Sequence, residues 1–98
     1  MRISIVLAAL LLLGSSVARA ETGKASYHHG VGKRGEMTCA HRTRPFGTMI
    51  RVSHGVHSIQ CRVNDRGPFI RGRIIDVSIT AARALGMMDA GVVEVSIE

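Results

Sequence analysis

Asn64-Asp65-Arg66-Gly67-Pro68-Phe69-Ile70-Arg71-Gly72-Arg73-Ile74-Ile75-Asp76-Val77-Ser78 sets two carboxylates and two apolar runs within fifteen positions, directly ahead of a helix signal. Gly67-Pro68 and Gly72 punctuate it as turns between strands. Ile74, Ile75 and Val77 form a β-branched run that reads as a buried strand. Asp65 falls in the turn and Asp76 at the exit of the apolar strand. A lone carboxylate beside a turn commonly does no more than close an Asx-turn. Two in one short segment make a candidate site.

Downstream, Ser78 is a good helix N-cap, Ile79, Ala82 and Leu85 recur at helical spacing, and Gly86 is a stop at the C′ position. Asp89-Ala90-Gly91 then turns the chain into a last strand, where Val93, Val95 and Ile97 alternate with Glu94 and Ser96. Upstream, Met49 to Val52 and Ser58 to Val63 have strand character, joined as a hairpin through Ser53-His54-Gly55. Thr38 to Thr43 holds the first buried candidates before the turn Arg44-Pro45-Phe46-Gly47, and Gly23 to Tyr27 is a first strand. Glu21 to Lys24 reads as a flexible lead-in. Several short strands with one small helix predict a compact β-barrel, because closure removes exposed sheet edges.

Met1-Arg2, the apolar run Ile3 to Leu13 and Ala18-Arg19-Ala20 have the layout of a secretory signal peptide over residues 1–20, cut before Glu21. The apolar run is shorter than the roughly 20 residues that a spanning helix needs. No cysteine lies near the expected cut, so a lipid there has no acceptor, and no stable membrane anchor is expected. Residues 21–98 then form one exported soluble domain, periplasmic or secreted. It keeps 11 of the 13 Lys and Arg and all 7 acidic residues, a net charge of +4. That balance suits an anionic or polyhydroxylated partner. Nucleic acid is not expected, since Tyr27, Phe46 and Phe69 are too few to form a base-stacking platform. Cys39 and Cys61 are the two cysteines of an exported small domain, which usually pair, and a bridge closing such a loop is worth about 3 kcal/mol. Their spacing fits no zinc pattern.

Five blocks carry a family likeness: Gly23-Lys24-Ala25-Ser26-Tyr27, Thr38 to Thr48, Val63 to Phe69, Arg71 to Ser78, and Ala81-Ala82-Arg83-Ala84-Leu85-Gly86. In order and with compatible spacing, they resemble the rare lipoprotein A (RlpA)-like proteins. The resemblance implies a six-stranded double-psi β-barrel with one short helix. It also implies lytic transglycosylase action on peptidoglycan glycan strands lacking stem peptides. No cofactor and no metal are expected, and the domain is expected to be a monomer. The family's functional histidine falls on His41 and its functional aspartate on Asp65. Members with activity carry a glutamate followed by a loop of several residues. Here Arg34-Gly35-Glu36 runs almost directly into Met37-Thr38, so Glu36 is either that glutamate displaced or a polar loop residue. The glycan-binding repeat domain of longer members is not seen before the chain ends at Glu98.

Lytic cleavage uses no water: an acid protonates the leaving oxygen, and the sugar's own 6-hydroxyl closes an anhydro ring. One carboxyl group can serve as acid and then base, where most glycosidases use two. Asp65 is the first candidate, although Arg62 and Arg66 would hold it charged if they paired with it. Its other reading is a turn acceptor tied to the Arg66 or Gly67 backbone. Asp76 reads as a carboxylate favouring the nearby helix dipole, and is the reserve acid because other double-psi barrels carry a similar Asp-x-Ser. His41 either orients substrate and tunes the acid, or is a buried hydrogen-bonded histidine. Arg42, Arg66 and Arg71 are the candidate substrate ligands, since a guanidinium can grip a muramic-acid carboxylate bidentately. A non-catalytic barrel that binds wall glycan, in the manner of expansin- and barwin-like proteins, is the competing expectation.

Overall fold

The computed structural model describes residues 20–29 and 34–98. Apart from Ala20, the leader expected over 1–20 lies outside them. Six strands, β1 (Glu21–His28), β2 (Thr38–Ala40), β3 (Met49–His54), β4 (His57–Asp65), β5 (Arg73–Ser78) and β6 (Val93–Ile97), accompany one helix, α1 (Ile79–Leu85). The strands close into a barrel in the order β1-β5-β2-β4-β3-β6. Pairs β1/β5 and β2/β4 are parallel and the rest antiparallel, the arrangement of a double-psi β-barrel.

Alternation fills the interior. Ile50 and Val52 of β3, Cys61 and Val63 of β4, Ile75 and Val77 of β5, and Val95 and Ile97 of β6 are all buried. Each such aliphatic side chain contributes about 1.5–3 kcal/mol relative to exposure. Helix α1 has seven residues, too few to persist in water alone. It is held by burying Ala81, Ala82 and Leu85, and its ends are capped as the sequence predicts. The Ser78 hydroxyl accepts the Ala81 N–H, and Gly86, at φ 72°, donates to the Ala82 and Arg83 carbonyls. The Cys39–Cys61 disulfide ties β2 to β4.

The segment Glu21 to Lys24 is no lead-in. Residues Glu21 to Ala25 pair antiparallel with Ile97 to Val93, and this ladder closes the barrel. The segment lacks an apolar alternation of its own, so the partner strand β6 supplies the order. Gly23 crosses so near β5 that a Cβ there would lie 2.7 Å from Ile74 Cγ2. Ile74 itself is half-buried, on the side of β5 opposite Ile75 and Val77.

Candidate functional site

The barrel sets β2 between β5 and β4, and Ala40 pairs with Asp76 on one side and Asp65 on the other. Cys39 pairs with Val77 and Val63, both in the core. Between Cys39 and Ala40 the β2/β4 register shifts by one, leaving Asn64 as the extra residue. Strict alternation from Val63 would turn Asp65 inward. The bulge instead brings it to the outer face beside Ala40, a common way of re-aiming a side chain. Asp65 and Asp76, both partly exposed, therefore flank the buried Ala40 in one row, their backbones about 10 Å apart across two strand spacings.

Asp76 is not a helix-dipole carboxylate: its Oδ1 accepts the Ser26 hydroxyl at 3.1 Å and its Oδ2 meets His28 Nε2 at 3.0 Å. Its strand parity carries it away from the helix and towards β1. Asp65 Oδ1 accepts the Arg66 N–H at 2.8 Å, the turn contact expected of such a residue. Neither flanking arginine pairs with it. Arg62 meets Glu36 Oε2 at 2.7 Å, and Arg66 Nη1 donates to the carbonyls of His41 at 3.1 Å and Arg44 at 2.8 Å. The Arg66 guanidinium also lies 4.2 Å over the Phe46 ring.

Arg42 answers Arg66 from the opposite loop. Its Nε donates to the Pro68 carbonyl at 2.7 Å, and its Nη2 to those of Ile70 at 3.3 Å and Arg73 at 3.0 Å. Two of the three arginines expected to hold substrate thus stitch residues 41–44 to residues 66–73. Arg71 is exposed and bonded to nothing among the described residues.

His41 follows Ala40 and is buried. Its Nδ1 accepts the backbone N–H groups of Thr43 and Arg44, each at 3.1 Å. With Nδ1 committed as acceptor, the hydrogen-bond network puts the ring proton on Nε2, which reaches Glu21 Oε1 at 3.0 Å. Arg44 Nη2 approaches the same oxygen at 3.3 Å. Glu21, His41, Arg42, Thr43 and Ile74 line a pocket of about 170 Å³. Ile74 lies two residues before Asp76 on β5, so the pocket adjoins the aspartate row.

Glu36 is elsewhere. Besides the ion pair with Arg62, its carbonyl accepts the Ser78 hydroxyl at 3.1 Å, which ties it to the start of β2. Arg62 pairs across from Thr38, three residues before Asp65 along β4, or about 10 Å. The structure gathers His41, Asp65 and Asp76 around the end of β2 and leaves Glu36 at its beginning. The sequence alone does not place Glu21 or Ile74 at a site. No local signal marks Glu21, because Glu21 to Lys24 has no apolar alternation and its partner His41 is twenty residues away. Among the described residues, no group of three His, Cys, Asp or Glu side chains converges as metal ligands would.

The family model described as "Lytic transglycolase" matches residues 20–97. A probable endolytic peptidoglycan transglycosylase RlpA from Nostoc sp. (strain PCC 7120) is 56% identical over 64 residues, covering 63% of this chain and 17% of its own. The endolytic peptidoglycan transglycosylase RlpA of Vibrio cholerae is 43% identical over 91 residues, covering 80% of this chain and 35% of its own. The chain thus spans between about a sixth and a third of the length of these relatives. Among solved structures, an expansin from Clavibacter michiganensis superposes with a TM-score of 0.69 at 22% identity, covering 82% of this chain and 50% of its own. The Streptomyces papain inhibitor gives 0.66 at 22% identity, covering 84% and 94%. These two likenesses speak to the fold. The family match and the Vibrio relative speak to descent: the chain belongs to the lytic transglycolase family, as an RlpA-like double-psi β-barrel.

Proposed function

We propose that this barrel is an exported, monomeric peptidoglycan lytic transglycosylase. It cuts within glycan strands, prefers strands lacking stem peptides, and leaves 1,6-anhydro-muramic ends. The observation that carries this reading is the row in which Asp65 and Asp76 flank Ala40, beside a pocket walled by His41. Relatives named as RlpA transglycosylases support the same chemistry. Asp65 gives its proton to the glycosidic oxygen as the C1–O bond breaks. The sugar's 6-hydroxyl oxygen bonds to the anomeric carbon, and its proton returns to Asp65. No water is consumed and the acid is restored. Asp76, braced by Ser26 and His28, faces the positive charge that develops on the ring, and is the reserve acid. Arg71 takes the muramic-acid carboxylate.

The test is release of anhydro-ended products from stripped glycan strands, read by mass spectrometry. Asp65→Asn should cut the rate at least about 100-fold, the usual worth of a positioned acid. A variant as active as the parent removes Asp65 from the role.

A second reading is a barrel that binds wall glycan without cutting it. It is favoured by the Arg66 N–H that already occupies Asp65 Oδ1, and by likeness to an expansin of which a variant was solved with cellohexaose. Co-sedimentation with intact sacculi and no soluble product, from acid to neutral pH, would select it.

A further inference from the structure

The proposed cleavage leaves Glu21 unused, yet its carboxylate is held by two donors at one oxygen: Oε1 receives His41 Nε2 and Arg44 Nη2. His41 is in turn fixed by the Thr43 and Arg44 amides and is 5% exposed, so its ring cannot swing away without orphaning two N–H groups. Arg44 is 14% exposed on its side chain, whereas Glu21 is 36% exposed and lines the pocket. No further contact reaches the Glu21 carboxylate among the described residues, so Oε2 remains as an acceptor held in one orientation.

The remaining walls bear on what Oε2 could accept from. The Arg42 guanidinium is committed to three loop carbonyls, and the aliphatic Ile74 supplies an apolar part of the lining. A sugar ring has the matching two-sided character, with an apolar C–H face and hydroxyl donors at its edge. The pocket's volume of about 170 Å³ accommodates one such ring. Ile74 stands two residues from Asp76, about 6.5 Å along β5, so a glycan crossing the aspartate row would bring its neighbouring ring over Ile74.

We propose that Glu21 is a positioning residue of a sugar subsite next to the cleavage row. Its Oε2 accepts a hydroxyl of an N-acetylhexosamine ring seated on Ile74, and His41 acts by locking that carboxylate rather than by touching the scissile bond. This rests on the glycan reading above, but not on cleavage. Fixing the acceptor before substrate arrives removes a rotamer cost from binding.

A tetramer of β-1,4-linked N-acetylglucosamine is the probe, titrated into the isotope-labelled protein and followed by NMR. The Thr43 and Arg44 amides and the His41 ring nitrogens should shift saturably, because they report on Glu21 through the hydrogen-bond chain. Glu21→Gln, which turns the acceptor at Oε2 into a donor, should weaken binding about tenfold, the worth of a hydrogen bond to a charged group. Its melting temperature should stay near that of the parent. Three results overturn the subsite: no binding, binding that leaves those nuclei unmoved, or equal affinity in a folded Glu21→Gln protein. If that variant does not fold, the titration of the parent alone decides. Anhydro-product release is scored separately. Binding through these nuclei without cleavage keeps the subsite and removes the lyase; cleavage with these nuclei still does the reverse.

Discussion

Strand β2 is three residues long, and its two ends are built differently. At its start, polar groups satisfy one another: Glu36 pairs with Arg62, and Ser78 donates to the Glu36 carbonyl while accepting the Thr38 N–H. At its finish, Glu21, His41, Arg42 and Thr43 line a pocket, and two partly exposed aspartates flank Ala40 beside it. A glutamate stands at each end. One is tied into the scaffold that joins β2, β4 and the cap of α1, and the other is held at one oxygen beside open space. Proximity in sequence to the His41 block singles out Glu36, whereas the folded geometry singles out Glu21.

The contrast can be broken in four places. The disulfide joins β2 to β4 between the two ends, so replacing Cys39 and Cys61 with serine should cost about 3 kcal/mol. Both ends should loosen together in hydrogen exchange; a loss confined to one end would show that the disulfide does not couple them. His41→Ala should act mainly at the finish, reducing product release about 100-fold by freeing Glu21 and the Thr43 and Arg44 amides. Activity near that of the parent would reduce His41 to a core residue.

Gly23→Ala is a finer probe, because the new methyl displaces Ile74, one of the pocket's lining residues. We expect about 1–3 kcal/mol of destabilisation from overpacking and weaker glycan binding. Unchanged glycan affinity would show that the Ile74 surface is not used. The smallest effect belongs to Glu36→Gln. Its ion pair with Arg62 is about a third exposed on one side and 41% on the other, so its removal should cost no more than about 1 kcal/mol. Product release should stay within about twofold of the parent, since a positioned acid or base is worth at least about 100-fold. A loss of that larger size would restore Glu36 to the chemistry and erase the distinction between the ends.

Much of the frame is legible in the chain because its signals are local. Ser78 and Gly86 mark the helix limits through backbone needs of their own, and Val93, Val95 and Ile97 display the strand period directly. The site is less legible because its contacts are distant. Glu21 meets His41 twenty residues away, and nothing around Glu21 marks it out. Arg42 and Arg66 look like substrate ligands in the sequence, since a guanidinium does not reveal whether its acceptor is a ligand or a main-chain carbonyl. Asp76 stands two residues before a helix cap, but strand parity sends it sideways to Ser26 and His28. The bulge that turns Asp65 outward depends on how β4 registers with β2, which neither strand encodes alone.

The exchange of arginines between the two loops has an evolutionary corollary. Each guanidinium grips main-chain oxygens, so these bonds between residues 41–44 and 66–73 require two arginine side chains and, at the acceptor end, only the course of the backbone. Substitutions along that rim that keep the backbone course leave those acceptors in place. A lineage could therefore vary the side chains of that rim while the barrel beneath stays unaltered.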